Sequence, residues 1–175
     1  MDITPHELRL LNFYRASELH GGLILGQVAR RARHADLAVQ LTRHSAEEVM
    51  HALLWTETIV GVGGRVRPVR DTYQSRYLRL VGARTALVDV LALTQVFERR
   101  VYRHFTEHLR RRGTHPLVRT TLARMLEEER GHLTWVKAWL DGEGEAGRTL
   151  LRRYTELDAR VYAQVSDEYG WEEAA

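Results

Sequence analysis

The sequence predicts an all-α fold: four long helices joined by short, long and short connections, with a shorter fifth helix at the C-terminus. Three observations predict it. Apolar residues recur every three or four positions over four long stretches, no stretch shows the apolar–polar alternation of a strand, and helix start and stop signals separate the stretches. At 175 residues, 44% hydrophobic and 28% charged, the chain suits one compact domain over 1–175 and disfavours disorder.

Thr4-Pro5-His6-Glu7 has the form of a capping box with proline at the first helical position, so a helix opens there. Leu8, Leu11, Tyr14, Arg15, Glu18, Gly22, Leu25 and Ala29 follow at helical spacing, and the pattern holds to about His34. Asp36 is the expected cap of the second helix, whose face carries Leu37, Leu41, His44, Glu48, His51, Trp55 and Thr58 until Gly61, Gly63 and Gly64 stop it. A long connection then runs to about Ala83, with a short helical candidate from Tyr73 to Leu80. The third long helix fits Arg84 to Arg112, closed by Gly113, with Leu87, Leu91, Thr94, Glu98, Tyr102 and Phe105 along one stripe. Thr114-His115-Pro116 makes a tight turn, and the fourth helix runs from there to Asp141-Gly142. GEGEAG (142–147) reads as a polar linker. Leu150, Tyr154, Leu157, Val161, Val165 and Tyr169 then mark the fifth helix, about 149–169, before Gly170 and an acidic tail.

Composition excludes several chemistries. Without cysteine there are no disulfides, thiolate nucleophiles, iron–sulfur clusters or thiolate zinc sites, so a metal here needs His and carboxylate ligands. The opening MDITPHELRL has no apolar h-region and no window approaches the ~18 apolar residues of a membrane span, so no span and a cytoplasmic location are expected. Net charge is +3, and Lys137 is the single lysine. Arg30, Arg31 and Arg33 close one helical stretch, and Arg110, Arg111 and Arg112 close another, where cations complement the helix dipole. A nucleic-acid partner is disfavoured, because the two clusters are expected at opposite ends of the bundle and make no single basic patch.

The second helix contains Glu48-Val49-Met50-His51 and the fourth Glu129-Arg130-Gly131-His132. Residues at i and i+3 share a helix face and can grip one ion. Chance alone gives about one Glu-x-x-His in a chain of this composition, so position carries the weight. With the first turn near residue 35, Glu18 and His51 fall at the same depth, about 24 Å along antiparallel helices. With the other turn near 114, Glu98 falls level with Glu129 and His132 in the same way. The spacing from Glu18 to Glu48 is 30 residues and from Glu98 to Glu129 it is 31, a repeat of potential ligands. All sit on inward stripes among Leu, Val, Tyr and Trp, where an uncompensated carboxylate costs several kcal/mol. Four carboxylates balance two divalent cations, and the sulfur-free donor set suits iron, with manganese as the alternative.

This pattern resembles the ferritin-like di-iron carboxylate proteins, in which two helices each give one Glu and two others each give a Glu-x-x-His. The resemblance covers residues 5 to 141. It implies a ferritin-like four-helix bundle with one long crossover between the second and third helices. It also implies a pair of iron ions held by Glu18, Glu48, His51, Glu98, Glu129 and His132. In the family Glu48 and Glu129 would bridge the ions, with Glu18 and His51, and Glu98 and His132, as terminal ligands. Rubrerythrin-like peroxidases carry a further carboxylate three residues from the third helix's Glu, but here Gln95 and Val101 stand at that spacing. The six-ligand pattern without it is similar to that of demethoxyubiquinone hydroxylases and of the tRNA hydroxylases of the group.

The expected activity is that of a non-haem dinuclear iron oxidoreductase that activates dioxygen or peroxide to oxidise a small substrate. Electrons would come from a separate reductase or from the substrate. A ferroxidase or peroxide-detoxifying protein is the alternative, and a helical interaction protein with a polar core is a third. Tyr14, Tyr102 and His44, each one turn from a ligand, are candidates to hydrogen-bond the ligands. Gly21 and Gly22 are weighed as the opening of a small pocket against close helix packing. Trp55, Trp135 and Trp139 are expected in the core, His6, His34 and His115 at helix ends, and His104 and His108 on the surface. The surface of the C-terminal helix would suit a homodimer.

Overall fold

The computed structural model describes residues 2–82 and 86–169. Among these the chain forms six α-helices and no strand: α1 (Pro5–Ala29), α2 (Ala35–Gly61), α3 (Tyr73–Val81), α4 (Leu87–Arg110), α5 (Pro116–Gly142) and α6 (Gly144–Tyr169). No helix among them is long and apolar enough to cross a membrane. The chain divides into two compact units, Met1–Arg76 with Thr114–Thr121, and Tyr77–Gly113 with Leu122–Ala175.

The first unit is built on α1 and α2. Thr4 caps α1, its hydroxyl accepting the Glu7 N–H at 3.0 Å, and Pro5 occupies the first turn. At the next start the cap is His34, with extended backbone (φ −92°, ψ 124°), and Asp36 lies inside the first turn, where its charge still favours the dipole. The core of the hairpin holds Leu10, Leu11, Phe13, Tyr14 and Leu25 from α1, and Leu37, Leu41, Trp55 and Ile59 from α2. Tyr14 and Trp55 stack at 5.3 Å between ring centroids.

The helices approach closely where side chains are missing. A β-carbon at Gly22 would lie 3.0 Å from the Ser45 carbonyl oxygen and 2.9 Å from Val49 Cγ2, and one at Gly26 would lie 3.0 Å from Ser45 Oγ. Ser45 Oγ donates to the Gly22 carbonyl at 2.7 Å. Gly22 therefore serves packing and leaves no pocket. In the connection to α3, the buried Asn12 side chain donates to the Leu8 and Arg65 carbonyls at 2.9 and 3.4 Å and accepts the Arg67 N–H at 2.6 Å. Thr72 caps α3 through the Ser75 N–H at 3.2 Å. Thr58 of α2 and Thr121 of α5 share a 2.7 Å hydroxyl contact.

In the second unit α6 packs on α4 around one buried acid. Asp158 accepts from the Tyr77 hydroxyl at 2.6 Å and from Arg100 Nε at 2.9 Å. The Arg100 guanidinium lies 3.9 Å from the Tyr162 ring centroid, and Tyr77 meets Phe97 edge-on at 4.7 Å. Leu91, Phe105, Leu122, Met125, Tyr154, Val161 and Val165 fill the apolar remainder.

Several boundaries differ from the sequence expectations. The third long helix begins at Leu87, and its expected start at Arg84 lies outside the described residues, as do Gly170 and the acidic tail. GEGEAG is not a linker. Gly144 turns the chain with φ +61°, and α6 starts there rather than near 149. Glu145 stabilises that start: hydrogen bonds from Arg152 and Arg148 hold its carboxyl down at about 2.

Candidate functional site

The inward face of α2 carries His44, Glu48, His51 and Trp55 one above another, because residues three and four apart share a helical face. Opposite them α1 presents Glu18. Ligand atoms of Glu18, Glu48 and His51 lie within 4.8 Å of one another, and the three residues are 4%, 5% and 0% exposed. The close crossing at Gly22, Gly26 and Ser45 brings Glu18 and Glu48 to the same level. His44, 1% exposed, places Nε2 3.0 Å from Glu48 Oε1, a contact that orients the carboxylate.

The second unit repeats the chemistry. His132 Nδ1 lies 3.1 Å from Glu129 Oε2 and 3.8 Å from Glu98 Oε2. Glu98, Glu129 and His132 are 6%, 0% and 2% exposed. Each unit thus brings together the three residues expected of it: one Glu from the first helix of a pair and a Glu-x-x-His from the second. Two carboxylates and an imidazole within a few ångströms, out of water and without sulfur, form a donor set that fits a divalent first-row cation. Two bare carboxylates so close and so buried repel each other unless a cation or a proton intervenes.

Around the first triad, Gly21 has room. A β-carbon there would lie 3.4 Å from Gln74 Nε2 and 3.5 Å from Glu48 Oε2, ordinary contact distances. Gln74, on α3, donates to the Ser17 carbonyl at 3.0 Å. Its Oε1 and the Ser17 hydroxyl are buried with no hydrogen-bond partner among the described residues. Beyond them His20 Nδ1 contacts the Thr72 hydroxyl at 2.7 Å, and burial lowers the His20 pKa. Nothing in the sequence singles out Ser17, His20 or Gln74, whose roles depend on where the connection folds back; Thr72 alone is signalled, as a cap before a short helix.

The remaining residues singled out in the sequence are spread over both units. Tyr102 is only half-buried, and its hydroxyl accepts from Arg130 Nε at 3.3 Å on the exposed side of the unit. Tyr14 is buried against Trp55. His104 and His108 are not on the surface: they are 7% and 3% exposed, and the His104 ring lies 5.1 Å from that of Tyr162 on α6. Burial, with Arg100, Arg103 and Arg111 nearby, pushes the His104 pKa well below its usual value. Trp55 is fully buried, whereas Trp135 and Trp139 are half-exposed. His34 and His115 do stand at helix starts, His115 Nδ1 accepting the Leu117 N–H at 3.2 Å. Compared with protein-family models, with curated proteins and with solved structures, the chain gives no match.

Proposed function

We propose that the two triads are the ligands of a pair of divalent metal ions, iron or manganese, and that the protein is a ferritin-like dinuclear oxidoreductase acting on a small substrate. The observation that carries this reading is the duplicated buried Glu, Glu-x-x-His triad at matched spacing. Four carboxylates supply the charge that two divalent cations neutralise, and two neutral imidazoles complete the ligand set without adding charge. Such a metal pair, when bound, supplies redox equivalents and Lewis acidity for reaction with dioxygen or peroxide.

The chain's own residues have defined tasks in this reading. Glu18, Glu48 and His51 hold one part of the ligand set, and Glu98, Glu129 and His132 the other. His44 keeps Glu48 in one orientation through its Nε2 contact. The apolar surroundings exclude water, which strengthens every charge interaction inside. Gly21 leaves one side of the Glu48 carboxylate uncovered, and Gln74 Oε1 and Ser17 Oγ offer an acceptor and a hydroxyl to a small guest arriving there. Electrons would reach the site from a separate reductase or from the substrate itself.

Elemental analysis of untagged protein, before and after anaerobic loading with iron or manganese, tests the reading directly. About two ions per chain and an oxygen-dependent absorption change are expected. Glu48→Ala or Glu129→Ala should abolish loading while helical content persists, since each removes a buried negative charge. Metal should raise the melting temperature of the unmodified chain and of neither variant. Oxygen uptake that needs an added organic substrate marks an oxidase or hydroxylase; uptake that follows iron alone marks a ferroxidase. A chain that takes up no metal has a polar core only, and the proposal is then wrong.

A further inference from the structure

An amphipathic helix with one buried face is normally polar on the other. α2 is not. Opposite its core face it exposes Val39 (56%), Met50 (52%), Leu53 (45%) and Val60 (62%), along with Val49 (41%). Val39, Ala46, Leu53 and Val60 recur at intervals of seven residues. That is the spacing of a coiled-coil seam, and it extends about 32 Å along the helix. Leu23 of α1, 57% exposed, lies next to this face, because its neighbour Gly22 abuts Val49. An apolar stripe of this length, uncovered in a single chain, marks an interaction surface.

The order of residues along the stripe says what would cover it. About the midpoint between Val49 and Met50 the stripe is evenly spaced, and when reversed it is complementary to itself in size and charge. Running a second α2 in the opposite direction sets Val39 level with Val60, and Ala46 level with Leu53, a small residue against a large one. It also sets Arg43 beside Glu57, both exposed, at the two ends of the seam. A parallel partner would instead put Arg43 against Arg43 and Glu57 against Glu57, which like-charge repulsion disfavours. We propose that the protein dimerises with a second copy of itself through α2, the two helices antiparallel about a two-fold axis between Val49 and Met50. This surface differs from the C-terminal helix that the sequence suggested, and it stands independently of the metal reading, since Glu48 and His51 lie on the opposite face.

The absence of native cysteine makes the test clean. Equilibrium sedimentation should give twice the chain mass of 20.3 kDa, with dissociation on dilution. Under mild oxidation Met50→Cys, near the axis, should form a disulfide-linked dimer. Val39→Cys and Val60→Cys should each stay unlinked alone, and the double variant should cross-link, because a disulfide requires Cα atoms within about 7 Å. Leu53→Glu, at an exposed position, should yield monomer with unchanged helical content. Arg43→Glu should weaken the dimer, and adding Glu57→Arg should restore it. Four results would overturn the proposal: a monomer at every concentration, cross-linking by Val60→Cys alone, a dimer that survives Leu53→Glu, or a monomer that floats with phosphatidylglycerol vesicles through this face.

Discussion

Replacing Gly21 and Gly22 by alanine, one at a time, should move stability by clearly different amounts although the residues are neighbours in one helix. Both substitutions gain the same helix propensity, about 1 kcal/mol, because glycine in a helix interior has more backbone freedom to lose on folding. At Gly21 the new methyl meets Gln74 Nε2 at 3.4 Å and Glu48 Oε2 at 3.5 Å, so nothing needs to shift and the gain is kept. At Gly22 it meets Val49 Cγ2 at 2.9 Å, the Ser45 carbonyl oxygen at 3.0 Å and Glu48 Cβ at 3.2 Å. The carbonyl belongs to the α2 backbone, so relief requires the two helices to separate, and the 2.7 Å bond from Ser45 Oγ is strained as they do. Overpacking of this kind costs about 1–3 kcal/mol. Because the propensity gain cancels between the variants, that cost is the difference between them, with Gly22→Ala the less stable. For a chain of this length each kcal/mol shifts the melting temperature by roughly 2–4 °C. Urea unfolding followed by helical ellipticity, in metal-free buffer with chelator, reads the difference without a contribution from metal binding. Equal shifts for the two variants would refute the close crossing of α1 and α2 at Gly22.

Asp158→Ala should destabilise the second unit by about 3–5 kcal/mol, since it removes the carboxylate that pairs with the Arg100 guanidinium and accepts from the Tyr77 hydroxyl. A loss below about 1 kcal/mol in denaturant unfolding would show that the network is dispensable. His104 should make the protein acid-sensitive. Its pKa is lowered in the folded state, so below about 6.5 the unfolded chain binds the extra proton more readily and stability falls with pH. His104→Phe keeps a ring against Tyr162 without that proton. Its unfolding midpoint should decline less than the parent's between about pH 7 and pH 5, and equal declines would remove His104 as a source.

The features legible in the sequence are those written within a few residues of each other. The cap at Thr4, the turn through Gly113 and Pro116, the short helix at Tyr73 and the Glu-x-x-His pairs all depend on local backbone geometry or on one helix's periodicity. The composition of the two triads was legible because depth along a hairpin follows from rise per residue. What escaped depends on elements distant in sequence. His104 and His108 look exposed until α6 covers their face of α4, and Gln74 enters beside Glu48 only when the long connection folds against α1. The start of α6 escaped for another reason: three glycines in GEGEAG look like a linker, yet one supplies a left-handed turn and the neighbouring acid holds arginines from the next turns.

Asn12 has a consequence for how the exposed connection behaves. Its side-chain amide bonds to the Arg65 carbonyl and the Arg67 N–H on either side of Val66, as one residue of a parallel strand bonds to its neighbour. A stretch rich in exposed arginine, RVRPVR (65–70), thereby acquires a one-residue partner strand anchored in the core. Trypsin needs its target extended and unpaired within its own cleft, so cutting after Arg65 requires this amide to let go first. Resistance to cleavage after Arg65 is thus set by one buried side chain in α1, and not by how much surface the segment shows to solvent.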